Sequence, residues 1–132
     1  MKIKLSNKSE ISATLDKVNG KAFRHTIHRV NDLEMVLNRA IKQMDEDKIP
    51  MKDRSGATVT YRPASPYSNS KYSCITTQVT LQLGADGRTA YLIDARRAET
   101  YQSKEFFDVA LKAGSVMNFV ARAEAKYGQI AA

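Results

Sequence analysis

Cysteine is almost absent from the sequence, because Cys74 is the only one among 132 residues. A single thiol excludes a disulfide within the chain and fits a reducing compartment. No apolar run approaches the roughly 18 residues of a membrane-spanning helix. The first residues, MKIKLSNKSEIS, lack the apolar core of a secretory signal. We therefore expect a cytoplasmic protein that does not contact a membrane.

Signatures of catalysis and metal binding are also missing. His25 and His28 have a spacing that can bring two imidazoles to one helical face, but no further ligand is near in sequence. Arg24 and Arg29 flank the pair with positive charge, which opposes a bound cation. Neither a phosphate-binding loop nor the local signature of a nucleophile occurs. The sequence predicts a protein that is not an enzyme and has no cofactor and no metal.

Negative charge is in the minority, since 21 lysines and arginines stand against 14 aspartates and glutamates, a net charge of +7. The excess is uneven along the chain. It is concentrated in residues 1–29 and 50–72, whereas residues 30–49 are net acidic. An excess of this size favours a polyanionic partner.

The clearest structural pattern lies between residues 72 and 96. Val79, Leu81 and Leu83 alternate with polar residues, which predicts a half-buried strand. The turn sequence Gly84-Ala85-Asp86-Gly87 follows, and apolar residues then resume. The pattern predicts a β-hairpin at the centre of the fold.

Two registers of this hairpin are mutually exclusive, because a shift of one residue turns a whole strand over. A three-residue loop closed by Gly87 places Leu81 opposite Tyr91 and leaves Leu92 on the polar face. A two-residue loop places Leu92 inside and Tyr91 outside. We predict the first register because it buries more apolar surface.

Three segments have helical periodicity. Residues 9–19 begin at a capping Ser9 and end at Asn19-Gly20. Residues 31–45 begin at Asn31 and carry one apolar stripe: Leu33, Val36, Leu37, Ala40, Ile41 and Met44. Residues 103–127 begin at Ser103, and we expect this long helix to lie across the sheet.

The remaining segments predict a short strand at the N-terminus, Lys2–Leu5, a strand over residues 57–62, and a mobile loop, PASPYSNSK, over residues 63–71. The predicted fold is therefore α+β within a single domain, 1–132. An antiparallel sheet of three to four strands contains the central hairpin, and two to three helices pack on one face.

The candidate binding residues are basic and aromatic. Arginine and lysine contact phosphates, and an exposed tyrosine can stack on an unpaired base. The sequence predicts a nucleic-acid surface formed by Arg24, His25, Arg29, Arg62, Tyr67, Lys71, Arg96 and Arg97.

The partner itself has two interpretations. The first is an accessory protein that binds nucleic acid, with DNA and RNA both open. The second is a protein-binding module or inhibitor that occupies a partner's surface through the PASPYSNSK loop or the last helix. The apolar surface of that helix could also form a homodimer.

Overall fold

The computed structural model describes residues 1–20, 26–64, 74–100 and 105–112. In this part of the chain, five strands and three helices follow one another in the order β1, α1, α2, α3, β2, β3, β4, β5. Their bounds are β1 Ile3–Lys4, α1 Lys8–Asn19, α2 Val30–Glu46, α3 Met51–Arg54, β2 Thr58–Arg62, β3 Cys74–Leu83, β4 Ala90–Thr100 and β5 Phe106–Ala110.

The five strands form one antiparallel sheet in the order β1-β4-β3-β2-β5. The predicted α+β class is confirmed, and the sheet has five strands rather than three to four. The central hairpin is also confirmed, as β3 and β4. Within the described ranges, no helix combines the length and the apolar content needed to cross a bilayer.

One face of the sheet packs against the helices and forms the core. The helices contribute Ile11 and Leu15 from α1, and the stripe of α2 predicted from the sequence supplies four further buried residues. Burying these side chains away from water is the main favourable term for the fold. The fully buried apolar side chains that the strands contribute are Val59, Val79, Leu81, Leu83, Leu92, Phe107 and Val109.

Both longer helices begin slightly before the predicted residues. Asn7 rather than Ser9 caps α1, because its side-chain oxygen accepts the backbone N–H of Glu10. At the start of α2 the carboxylate of Asp32 accepts the backbone N–H groups of His28 and Arg29. The helix therefore starts at Val30, one residue earlier than predicted.

The predicted helix over residues 103–127 is wrong where the structure describes it. Phe106–Ala110 is an edge strand, β5, paired with β2. The sequence FFDVA satisfies both periods: Phe106, Val109 and Ala110 fit a helical stripe, whereas Phe107 and Val109 alternate as in a strand. Pairing with β2 buries Phe107 and Val109. Residues 113–127 lie outside the described residues, as does most of the predicted loop over residues 63–71.

The predicted hairpin register is also wrong. Leu81 pairs with Leu92 and Gln82 with Tyr91, so Leu92 is buried. The Asp86 carboxylate accepts the backbone N–H groups of Arg88 and Thr89, both at 2.8 Å, which holds Arg88 in the loop and shifts the pairing. The hydrogen bond from the Thr89 hydroxyl, together with these backbone bonds, lowers the pKa of Asp86 to about 2.

The turn itself has the predicted glycine in the left-handed region. Gly87 has φ 69° and its N–H donates to the Gly84 carbonyl at 3.0 Å. A side chain at this position would also meet the Met51 carbonyl oxygen at 3.0 Å. Glycine is therefore required here both by the backbone conformation and by the approach of α3.

Candidate nucleic-acid interface

The second face of the sheet, opposite the core, carries none of the described helices. Its side chains alternate with those of the core along each strand, as the strand period requires. Most are polar, and most are half-buried. We call this surface the polar sheet face and define it by Lys4, Thr58, Thr60, Arg62, Gln78, Thr80, Gln82, Tyr91, Asp94, Arg96, Phe106 and Asp108.

One row of residues across this face contains two of the predicted arginines. Phe106 pairs with Arg62, and Gln78 pairs with Arg96. The β2–β3 register continues from Tyr61 beside Val79, which puts Arg62 next to Gln78. Two strand spacings, about 10 Å, therefore separate the backbones of Arg62 and Arg96. The Arg62 guanidinium lies 5.6 Å from the centre of the Phe106 ring.

A β-bulge in β4 decides that Arg96 belongs to this row. Leu81 pairs with Leu92 but Thr80 pairs with Asp94, so Ile93 is the extra residue. Because of this extra residue, the side chains that follow it in β4 point to the opposite face from the one that the register near the turn would give them. Asp94 and Arg96 consequently lie on the polar sheet face, where Arg96 is the more exposed side chain, at 66% against 44%.

The next row is neutral at its centre and acidic at its ends. Asp108 pairs with Thr60, Thr60 with Thr80, and Thr80 with Asp94. The two threonine hydroxyls are 3.3 Å apart. Asp94 is 3.4 Å from the Nε atom of Arg96, and a solvated pair of this kind contributes little to stability.

A third group of residues lies at the β1 corner of the face. Lys4 pairs with Tyr91, and the Lys2 ammonium lies 4.7 Å from the centre of the Tyr91 ring. Both lysines are exposed. Among the described strand residues and Lys2, the two lysines together with Arg62 and Arg96 give four cations against two carboxylates on this side of the sheet. The three described helices are close to balanced, with six cations against seven carboxylates.

The other predicted site residues do not join this row. Arg97 lies on the helix side of β4, where its guanidinium donates to the backbone carbonyl of Asn19 at 2.8 Å. Arg29 is exposed at the start of α2, in the helix layer. The remaining four predicted residues lie outside the described residues: Arg24, His25, Tyr67 and Lys71.

Sequence reasoning missed four residues of this surface, and one of them, Tyr91, was missed because the predicted register placed it on the core side. Lys2 and Lys4 alternate with the buried Ile3, and that alternation was sufficient to orient them away from the core. What it did not indicate was the neighbouring strand, β4, which brings them to Tyr91. Phe106 was missed because the sequence assigned it to a helix.

A shallow groove of about 230 Å³ lies on the helix side, between α2 and the end of β2. Tyr61 lines it and donates its hydroxyl to Glu105 at 2.9 Å, and Glu105 also forms an ion pair with Arg39 at 2.6 Å. Burial and the Glu105 hydrogen bond raise the pKa of Tyr61 to about 12. Met35, 70% exposed, adds an apolar edge to the groove.

The Tyr61 shift predicts a loss of stability at high pH. The folded protein holds the phenolic proton more tightly than the unfolded chain, so this contribution is complete below pH 10 and is lost between pH 10 and about 12. We expect the free energy of unfolding, measured in urea, to fall less over that window for Tyr61→Phe than for the unchanged protein. The other titratable groups are the same in both proteins, so the difference between the two stability curves is the informative quantity. Parallel stability curves would contradict the assignment.

The described residues contain no cluster of three His, Cys, Asp or Glu side chains that could hold a metal ion. Comparisons with protein-family models, with curated proteins and with solved structures gave no match to this chain.

Proposed function

We propose that this protein binds nucleic acid through the polar sheet face and has no chemistry of its own. The observation that carries the proposal is the convergence of four cations on one face of the sheet. Arg62 and Arg96 share one cross-strand row, and Lys2 and Lys4 lie at the β1 corner of the same face. The three described helices on the other side show no such excess, with six cations against seven carboxylates.

The chemistry of the face suits a phosphate backbone. Cations that reach solvent release counterions when they contact phosphates, and this supplies affinity without reading sequence. Arg96 is well placed for such a contact because its side chain is 66% exposed and its pairing with Asp94 is loose. Arg97 is a poorer candidate, since the Asn19 carbonyl already occupies its guanidinium.

The test is a comparison of two variants that lose the same charge. Arg62→Gln with Arg96→Gln removes two cations from the polar sheet face, and Lys17→Gln with Lys42→Gln removes two exposed cations from the helices. Binding of labelled mixed-sequence DNA and RNA is followed by fluorescence anisotropy across a salt series. Loss of two phosphate contacts lowers the slope of log K against log salt by roughly 1.4 to 1.8 and weakens binding about tenfold near 0.2 M salt.

We expect the helix variant to change binding by far less, and thermal melting must show that both variants fold. Equal losses in the two variants would mean that only net charge matters and would remove the polar sheet face from the proposal. Absence of binding at low salt would overturn the proposed function altogether.

The groove beside Tyr61 favours a second candidate function, occupation of a partner protein's surface. The exposed Met35 side chain and the apolar residues Ile27, Val36 and Pro63 line one continuous surface there. An exposed methionine at the edge of a groove is typical of adaptable protein contacts. A failure of all nucleic-acid binding would leave this interpretation as the stronger one, and the purified protein would then be expected to retain one stoichiometric protein partner.

A further inference from the structure

We infer that the nucleic acid bound is single-stranded, with unpaired bases lying on the polar sheet face and stacking on Tyr91 and Phe106. This inference rests on the proposed function and names its substrate class. It follows from the position of the two rings, from the side chains between them and from the helices on the opposite side of the sheet.

The two rings lie at opposite corners of the face. Phe106 begins the edge strand β5, and Tyr91 lies near the start of β4, beside β1. Three strand spacings across the sheet and four residues along it separate them, which gives a diagonal of about 20 Å. A flexible single strand can follow such a diagonal and leave a base on each ring, whereas in a duplex the bases stay stacked on one another.

The side chains between the rings are neutral and can both donate and accept hydrogen bonds. Thr60 and Thr80 lie at the centre, and Gln78 and Gln82 lie on either side of Thr80 along β3. Amide and hydroxyl groups suit the edges of unpaired bases, which expose donors and acceptors together. Phosphates can use only the donors of these groups, whereas base edges can use their acceptor oxygens as well.

Each ring already has a cation beside it, and the magnitudes decide what happens when a base arrives. An exposed cation–ring contact is worth about 0.5–1 kcal/mol, whereas stacking of a base on an aromatic side chain is worth about 1–3 kcal/mol. A base can therefore displace the exposed Lys2 side chain from Tyr91. The displaced lysine is flexible and remains close enough to pair with the phosphate next to the stacked base.

The described helices offer little for reading a duplex. A helix that enters a major groove presents basic and polar residues to the phosphates and base edges. The exposed side of α2 instead carries Glu34, Met35 and Asn38 beside a single exposed cation, Lys42, and the charges of α1 cancel. The polar sheet face combines more cations with two half-buried rings, Tyr91 and Phe106.

The experiment compares one labelled strand of about 12 nucleotides, alone and annealed to its complement, as DNA and as RNA. Anisotropy near 0.2 M salt gives the affinities of the unchanged protein, of Tyr91→Leu and of Tyr91→Phe. We expect the single strand to bind at least tenfold more tightly than the duplex. Loss of one stacked base in Tyr91→Leu should weaken single-strand binding by about 5-fold or more and leave duplex binding unchanged, and Tyr91→Phe should keep most of the affinity.

The outcomes separate the two proposals. Duplex binding as tight as single-strand binding, or equal binding by Tyr91→Leu and Tyr91→Phe, would overturn the single-strand inference and leave the proposed function standing. No binding to any of these nucleic acids would overturn the proposed function and the inference with it. The DNA and RNA arms report which of the two single strands is preferred.

Discussion

Asn19→Leu is expected to lower the free energy of unfolding by about 2–4 kcal/mol, because it leaves two buried groups without partners. The Asn19 side chain is buried, at 4% exposure. Its amide nitrogen donates to the Ile27 carbonyl at 2.9 Å, and its oxygen accepts the Thr77 hydroxyl at 2.5 Å. One side chain thus joins the end of α1 to the segment before α2 and to the centre of the sheet.

A double-mutant cycle tests whether these bonds cause the loss. Thr77→Val removes the hydroxyl and keeps the shape, so its own cost should be about 1 kcal/mol. In the Thr77→Val protein, Asn19→Leu leaves only the Ile27 carbonyl without its partner. The double variant should therefore lose about 0.5–2 kcal/mol less than the sum of the two single losses. Urea unfolding measures all four free energies, and strict additivity would show that the Asn19–Thr77 bond contributes little.

The same cluster distinguishes the two adjacent predicted arginines. Arg97 donates to the backbone carbonyl of Asn19, on the helix side of β4, whereas Arg96 lies on the polar sheet face. The two residues are adjacent in sequence and carry the same charge, so sequence reasoning treated them as one pair. The strand period places them on opposite sides, so only Arg96 enters the proposed phosphate contacts.

The elements with one dominant period were predictable from the sequence. The apolar stripe of α2 and the alternation of Val79, Leu81 and Leu83 each match one template, and both elements occur where they were expected. The polar residues that alternate with that strand, Gln78, Thr80 and Gln82, also face away from the core as predicted. Local periodicity is sufficient where burial on one side decides the structure.

The parts that could not be predicted depend on contacts distant in sequence. The hairpin register follows from the hydrogen bonds of the Asp86 carboxylate in the loop. The bulge at Ile93 decides which face of the sheet Arg96 lies on, and the composition of β4 does not reveal that bulge. The Phe106–Ala110 strand forms because β2 offers an edge to it. Strand order brings Arg62 and Arg96 into one row and Lys2 beside Tyr91. Periodicity along the sequence does not indicate strand order, so neither contact could be predicted.

Arg54→Ala is expected to cost about 2–5 kcal/mol, an effect at least as large as that of Asn19→Leu. The Arg54 side chain is 7% exposed, and its Nε and Nη2 atoms donate to the Ile49 carbonyl at 3.0 and 2.8 Å. Nη2 also contacts Asp45 at 2.8 Å. The arginine thereby provides the positive charge that the acidic C-terminal end of α2 lacks.

Two further variants show which of these contacts matters. Asp45→Ala removes a partner that is 64% exposed, and we expect it to cost less than about 1 kcal/mol, because solvated ion pairs contribute little. Arg54→Met keeps most of the buried volume but none of the donors, so its loss should lie between the other two. Urea unfolding of the three variants gives the order. A loss in Asp45→Ala equal to that in Arg54→Ala would assign the stabilisation to the ion pair. The expected order assigns it to the two hydrogen bonds that Arg54 donates to the Ile49 carbonyl.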